Sequence, residues 1–165
     1  MNATARFSPE EQNLFNPAYC SLILYEAIRQ FQGDSDEGMP CTLAYLALPM
    51  SSNGLISSCL PNTVATPISA WITSNEGELV GLAGTISSYV DITTTAIGFL
   101  LDQGVVVLSD TGRLSLDGQV IPKMPGFVAK NTEIKRNFRV AGFIGRWFTS
   151  ASSVESIYTQ LGVRP

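Results

Sequence analysis

The chain has 165 residues, of which 45% are hydrophobic and only 15% are charged, and its net charge is −4. It contains no histidine, which excludes imidazole-based catalysis and histidine-ligated zinc, and its three cysteines form no CxxC pair. A chain of this length is expected to fold as a single domain over residues 1–165. Because charged residues are scarce, we expect part of the surface to be covered by a partner. Because the cysteines are odd in number and form no CxxC pair, we expect them to be packed, reduced thiols.

Motifs for targeting, membrane insertion and nucleotide binding are missing from the sequence. The densest apolar run, residues 43–48, is far shorter than the ~18 residues of a membrane span. There is no phosphate-binding loop, no dinucleotide fingerprint and no nucleophile elbow. We therefore expect a cytoplasmic protein with no membrane contact, no cofactor, no metal ion and no catalytic residue.

Charge is divided unevenly along the chain. Residues 1–110 carry two basic and eleven acidic residues, a net charge of −9, whereas residues 111–165 carry eight basic and three acidic residues, a net charge of +5. This asymmetry indicates two faces for two partners, or one basic face for an acidic partner or nucleic acid. Alternatively, the basic residues belong to an ordinary solvated helix face and contact no partner.

The first predicted helix begins at Asn16–Pro17, an N-cap followed by proline at the first helical position, and carries an apolar stripe to Phe31. Gly33 is expected to end this helix, and a polar loop is expected over residues 33–38. The acidic residues of that loop lack the spacing of a calcium-binding loop, so they do not predict a metal site.

The next segments are short and apolar. Residues 41–50 are interpreted as a helix, which Pro49 is expected to kink or stop after Leu48. Thr66–Pro67 is a second cap-plus-proline pair and predicts a short helix that contains Trp71.

The middle of the chain predicts two helices and a hairpin. Asn75 and Glu78 form a capping box for the first helix, residues 91–104 form the second, and residues 105–116 alternate around a turn as a β-hairpin. This order is typical of a winged helix-turn-helix, with its second helix at Ile92–Asp102. The predicted fold is therefore mainly α with a β-hairpin wing: a winged helix-turn-helix-like core with added N- and C-terminal helices.

The predicted second helix is unsuited to reading DNA. It carries no Arg, Lys, Asn or Gln before Gln103, and Asp91 and Asp102 would face phosphates unfavourably. We interpret the winged element as a protein-binding or structural element.

The C-terminal part predicts a loop and two helices. Residues 120–130 contain two prolines and are interpreted as a loop, residues 132–148 as a helix, and Ser152 with Glu155 as the capping box of a last helix. At about 100° per residue, one narrow face of the long helix presents four residues. These are Lys135, Arg139, Gly142 and Arg146.

The candidate contact residues lie in this basic part. Those predicted to contact a partner protein are Lys135, Arg136, Arg139, Arg146, Trp147 and Arg164. Those that could contact nucleic acid are Lys123, Lys130, Lys135 and Arg139. Trp147 is either an interface anchor or, equally, a half-buried core tryptophan.

Several motifs in order along the chain carry a family resemblance. They are Phe15-Asn16-Pro17-Ala18, Met39-Pro40 to Leu48-Pro49, Leu60-Pro61, the helix around Trp71, Ile97-Gly98-Phe99-Leu100-Leu101, Gly104-Val105-Val106, Gly145-Arg146-Trp147-Phe148 and Leu161-Gly162-Val163-Arg164-Pro165. Together they resemble the middle component of three-component ABC ATPase systems, including Lamassu-type anti-phage and anti-plasmid defence. Residues 51–58 depart from the pattern, because they are rich in Ser, Asn and Gly where an apolar helix with a basic residue is expected.

The resemblance implies a small non-enzymatic adaptor between an SMC/Rad50-like ABC ATPase and an effector, often a nuclease. DNA would be contacted mainly through the ATPase. Of the motif residues, Pro17, Gly145 and Phe148 would be structural, and Arg146 and Trp147 would contact a partner. The alternative is a DNA-binding winged-helix protein that uses the basic C-terminal helix. An enzyme is the third hypothesis.

Overall fold

The computed structural model describes residues 16–118, 121–122 and 124–164, which form nine helices and three short strands. The helices are α1 (Pro17–Ser35), α2 (Cys41–Ser52), α3 (Gly54–Ser58), α4 (Ile68–Ser74), α5 (Leu82–Ser88), α6 (Val90–Asp102), α7 (Gly126–Lys130), α8 (Thr132–Phe148) and α9 (Val154–Leu161). The strands are β1 (Met39–Pro40), β2 (Val106–Leu108) and β3 (Arg113–Leu116). None of the described helices is long and apolar enough to cross a membrane.

Helix α1 is the centre of the core. Every residue from 20 to 28 is buried, as expected of a helix that is covered on all sides, and α2, α6 and α8 pack around it. Helix α8 approaches α1 at Ala27, whereas α6 is joined to it by Ser21, whose hydroxyl donates to the Ala96 carbonyl at 3.2 Å. Since Ser21 and Ala27 lie about 120° apart around the helix, α6 and α8 occupy different sides of α1.

The ends of α1 confirm one prediction and correct another. The Asn16 side chain accepts a hydrogen bond from the Ala18 N–H at 2.9 Å, so the predicted N-cap is confirmed. The helix does not end at Gly33 but continues to Ser35, and Asp36 ends it in the left-handed conformation with φ 57°. Glycine inside a helix costs about 1 kcal/mol, which a well-packed helix tolerates.

Helix α2 continues through Pro49, the residue predicted to kink or stop it. Pro49 is inside the helix, which continues to Ser52, and the Asn53 N–H donates to the Pro49 carbonyl at 3.0 Å. The predicted end after Leu48 is therefore wrong, because packing of this buried helix outweighs the hydrogen bond that proline cannot make. Asn53 then caps α3, so the Ser/Asn/Gly-rich segment does contain a helix.

The capping box predicted at Asn75 is not formed. Its side chain donates to the Trp71 carbonyl at 2.8 Å and its N–H donates to the Ile72 carbonyl, so Asn75 ends α4 rather than beginning a helix. Helix α5 begins only at Leu82, after several turns. The Asn75–Glu78 spacing is ambiguous because asparagine can satisfy backbone groups at either end of a helix.

The predicted hairpin is confirmed and acquires a third strand. Strands β2 and β3 pair antiparallel with Val106 opposite Leu116, and β1 pairs with the other edge of β3, with Met39 opposite Leu114. The sheet order is β1-β3-β2. The architecture is thus mainly helical with a small antiparallel sheet.

The C-terminal helices are close to those predicted. The Asn131 side chain caps α8 by accepting from the N–H groups of Glu133 and Ile134, both at 3.1 Å. Helical spacing places Ile134, Phe138, Ala141, Ile144 and Phe148 on one predicted core stripe, and all of these except Ile134 are buried. Two details are corrected: residues 126–130 are the short helix α7 rather than a loop, and Ser153 rather than Ser152 caps α9.

Candidate partner interface

The outer side of α8 carries a cationic face, defined here as Lys135, Arg136, Arg139 and Arg146. The three arginines are exposed and Lys135 is half-buried. The fourth residue of the predicted stripe, Gly142, is buried, because it turns toward α1 and contacts Glu26. The stripe therefore marks the border between the side of α8 that packs on α1 and the side that faces solvent.

Arg146 is the member of the cationic face that forms an ion pair in the described part of the chain. Its Nε lies 3.2 Å from Oδ2 of Asp34, and the two side chains are 48% and 40% exposed. This contact joins the end of α8 to the last turns of α1. No described carboxylate lies within 4.0 Å of the other three cations.

Replacing Arg146 with Gln is expected to change the free energy of unfolding by less than about 1 kcal/mol, because exposed ion pairs contribute little. Urea denaturation monitored by circular dichroism measures this change. The matched variant Asp34→Asn removes the other partner and should give a similarly small change. A loss well above 2 kcal/mol in either variant would show that the pair has a structural role and is not a solvent-exposed contact.

Trp147 lies in the core. Its side chain is 0% exposed, its Nε1–H donates to the Thr66 carbonyl at 2.7 Å, and its ring packs edge-on against Trp71 with centroids 5.1 Å apart. A side chain enclosed in this way has no surface to offer a partner. The structure therefore favours the core interpretation of Trp147 over the predicted interface role.

Arg164 lies at the edge of a cleft of about 890 Å³ between the hairpin turn, the start of α2 and α9. The lining includes Pro40, Cys41, Thr42, Gly112, Arg113, Val154, Glu155, Tyr158 and Val163. The Tyr158 hydroxyl donates to the Thr42 carbonyl at 2.6 Å, and burial raises the pKa of this phenol to about 12, so it stays neutral. Arg164 is thus separate from the cationic face of α8.

Of the four residues predicted to contact nucleic acid, three lie in the described part of the chain. Lys130 is exposed at the end of α7, immediately before α8, and adds a cation near the start of the cationic face. Lys123 lies outside the described residues. Lys135 and Arg139, one turn apart on α8, are brought together as the sequence predicted.

A second surface was not predicted from the sequence. Phe99 of α6 and Phe127 of α7 are 39% and 58% exposed, and they flank an apolar cleft of about 320 Å³. The first turns of α1 and the prolines before α7 complete this cleft. Sequence patterns could not reveal it because its walls come from three distant segments of the chain.

Two acidic residues of the segment predicted as a polar loop, residues 33–38, form ion pairs, one from the last turn of α1 and one from beyond its end. Asp34 contacts Arg146, and Glu37 lies 3.1 Å from the Arg113 guanidinium, which also donates to the Gly38 carbonyl at 2.8 Å. Among the described residues, no group of three potential metal ligands is brought together.

These features define a class: small, mainly helical proteins with a three-stranded antiparallel sheet. The family model of the ABC-three component (ABC-3C) system Middle Component 3 matches residues 4–165, and the chain belongs to this family. Membership in a multi-component system implies partner proteins. No curated protein and no solved structure matches the chain significantly.

Proposed function

We propose that this chain is a non-enzymatic adaptor that links an SMC-like ABC ATPase to a nuclease-type effector in a Lamassu-type complex against phages and plasmids. The observation that carries this proposal is the placement of two exposed surfaces. The cationic face is on α8 and the Phe99–Phe127 cleft is beside α6, and these two helices pack on different sides of α1. The two surfaces differ in chemistry, one cationic and one apolar, so they suit two different partners.

The chemistry of the cysteines supports a non-enzymatic role. The chain has no histidine, so a nucleophile would lack the commonest general base. Burial raises the pKa of Cys20 to about 11, and it also raises the pKa values of Cys41 and Cys59. These thiols are protonated near neutral pH and are poor nucleophiles.

The order of elements supports a winged helix-turn-helix-like core. Helices α5 and α6 are joined at Tyr89, and the β2–β3 hairpin follows α6 directly. On α6, Asp91 and Asp102 are exposed. Their negative charge favours a protein partner over DNA at this element.

The adaptor proposal predicts that the effector depends on this chain to reach the ATPase. When all three components are co-expressed with an affinity tag on the ATPase, we expect all three to be retained together. When this chain is omitted, we expect the effector to be lost from the tagged ATPase. Equal retention of the effector in both preparations would contradict the proposal.

The second candidate function is duplex DNA binding through α8, which the cationic face itself favours. If the adaptor proposal is correct, the isolated chain should show no binding to a labelled duplex by fluorescence anisotropy at about 50 mM salt. The variant Lys135→Glu/Arg139→Glu is the control for any signal. Salt-dependent binding that this variant abolishes would favour the DNA-binding candidate.

A further inference from the structure

Helix α8 is a rigid platform for its cationic face. At Gly145 the helix lies so close to α1 that an added Cβ would be 2.2 Å from the Ala27 carbonyl oxygen. Asn131 caps the start of α8, and the inner side of the helix is buried from Asn137 to Phe148. The backbone positions from which the outer side chains project are therefore fixed, so binding need not order the helix itself.

The positive charge on this face is not needed by the fold. Lys135 and Arg139 are like charges at i and i+4, which destabilises a helix by about 0.2–0.5 kcal/mol. No described carboxylate lies within 4.0 Å of either side chain or of Arg136. The one acid on α8 itself is Glu133, in the first turn. The chain as a whole is acidic, so this concentration of cations is a local feature.

An aromatic side chain lies within the cationic face. Phe143 is half-buried and follows Arg139 by four residues and precedes Arg146 by three, so the three share one side of α8. Its ring is anchored against Trp147, with centroids 6.0 Å apart. An anchored aromatic ring surrounded by charged side chains is the usual composition of a protein-binding site, with an apolar centre and a polar rim.

From this combination we infer that the cationic face of α8 docks an acidic amphipathic helix of one of the other two components. This inference rests on the proposed adaptor function and adds the chemistry of the partner. An apolar side chain of that helix would pack on Phe143, and its carboxylates would pair with Lys135, Arg136 and Arg139. Duplex DNA is the less favoured occupant, because the face holds only four cations, one of them already paired with Asp34.

The test uses the co-expressed three-component complex and the variant Arg139→Glu, which changes the charge of the face by two units. Each of the other components is tagged in turn, and retention of this chain is measured at about 0.15 M salt. We expect Arg139→Glu to reduce retention by one component about tenfold or more, and Arg139→Lys to restore most of it. Raising the salt concentration should weaken the same contact.

The matched control is Ala83→Glu/Ser87→Glu, which places the same added charge on exposed positions of α5. It should be retained like the unmodified chain, and all variants should melt at similar temperatures by circular dichroism.

If Arg139→Glu is retained as well as this control, the docking inference is wrong while the adaptor function stands. If the unmodified chain is retained by neither component, the adaptor function itself fails. If Arg139→Glu abolishes duplex DNA binding but leaves retention unchanged, the face binds nucleic acid and the inference is overturned.

Discussion

Replacing Trp147 with Ala is expected to lower the free energy of unfolding by about 3–5 kcal/mol. The indole is fully buried, packs edge-on against Trp71 and donates a 2.7 Å hydrogen bond to the Thr66 carbonyl. Removing it leaves a cavity and takes the hydrogen-bond donor away from the half-buried Thr66 carbonyl. Urea denaturation followed by far-ultraviolet circular dichroism measures the loss.

The conservative variant Trp147→Phe separates the two contributions. It retains much of the packing but loses the hydrogen bond, so its destabilisation should be clearly smaller than that of Trp147→Ala. Loss of complex assembly by Trp147→Ala would then follow from unfolding. If Trp147→Ala unfolds like the unmodified chain yet fails to assemble, Trp147 contacts a partner and its placement in the core is wrong.

Replacing Gly145 with Ala is expected to destabilise the chain by about 1–3 kcal/mol or more, because the added methyl group overpacks the α1–α8 contact. The new Cβ would lie 2.2 Å from the oxygen and 2.9 Å from the carbon of the Ala27 carbonyl group. Both are backbone atoms, which cannot swing aside as a flexible side chain can. The two central helices must therefore move apart, and the melting temperature should fall by several degrees.

The control for this variant is Gly84→Ala on the exposed side of α5. Nothing lies within 4 Å of a Cβ at Gly84, so alanine should stabilise the helix by about 0.5–1 kcal/mol. The two substitutions are chemically identical and are expected to act in opposite directions. Equal melting temperatures for Gly145→Ala and Gly84→Ala would show that α1 and α8 are not in close contact.

Features encoded by a few neighbouring residues were predictable from the sequence. The cap at Asn16, the hairpin from residues 105 to 116 and the buried stripe of α8 depend on local hydrogen bonds or on helical periodicity. The clustering of Lys135 and Arg139 was predictable for the same reason, because residues four apart on a helix are neighbours.

Features that depend on tertiary packing were not predictable. Pro49 and Gly33 disfavour helix locally, but both lie within helices whose apolar residues are buried against the rest of the core. Trp147 is only about 100° around α8 from the exposed Arg146, so periodicity alone leaves its side ambiguous. The contact between Trp147 and Trp71 of α4 places the Trp147 side chain in the core. The Phe99–Phe127 cleft likewise exists only after three segments have come together.

We propose that this chain bridges two partner proteins. This proposal is tested most directly by mixing the separately purified ATPase and effector with and without this chain, and measuring complex mass by size-exclusion chromatography with light scattering. If the chain is the bridge, we expect a ternary complex in the mixture of three and no ATPase–effector complex in the mixture of two. An ATPase–effector complex that forms in the absence of this chain, or a ternary mixture that separates into its components, would contradict the proposal.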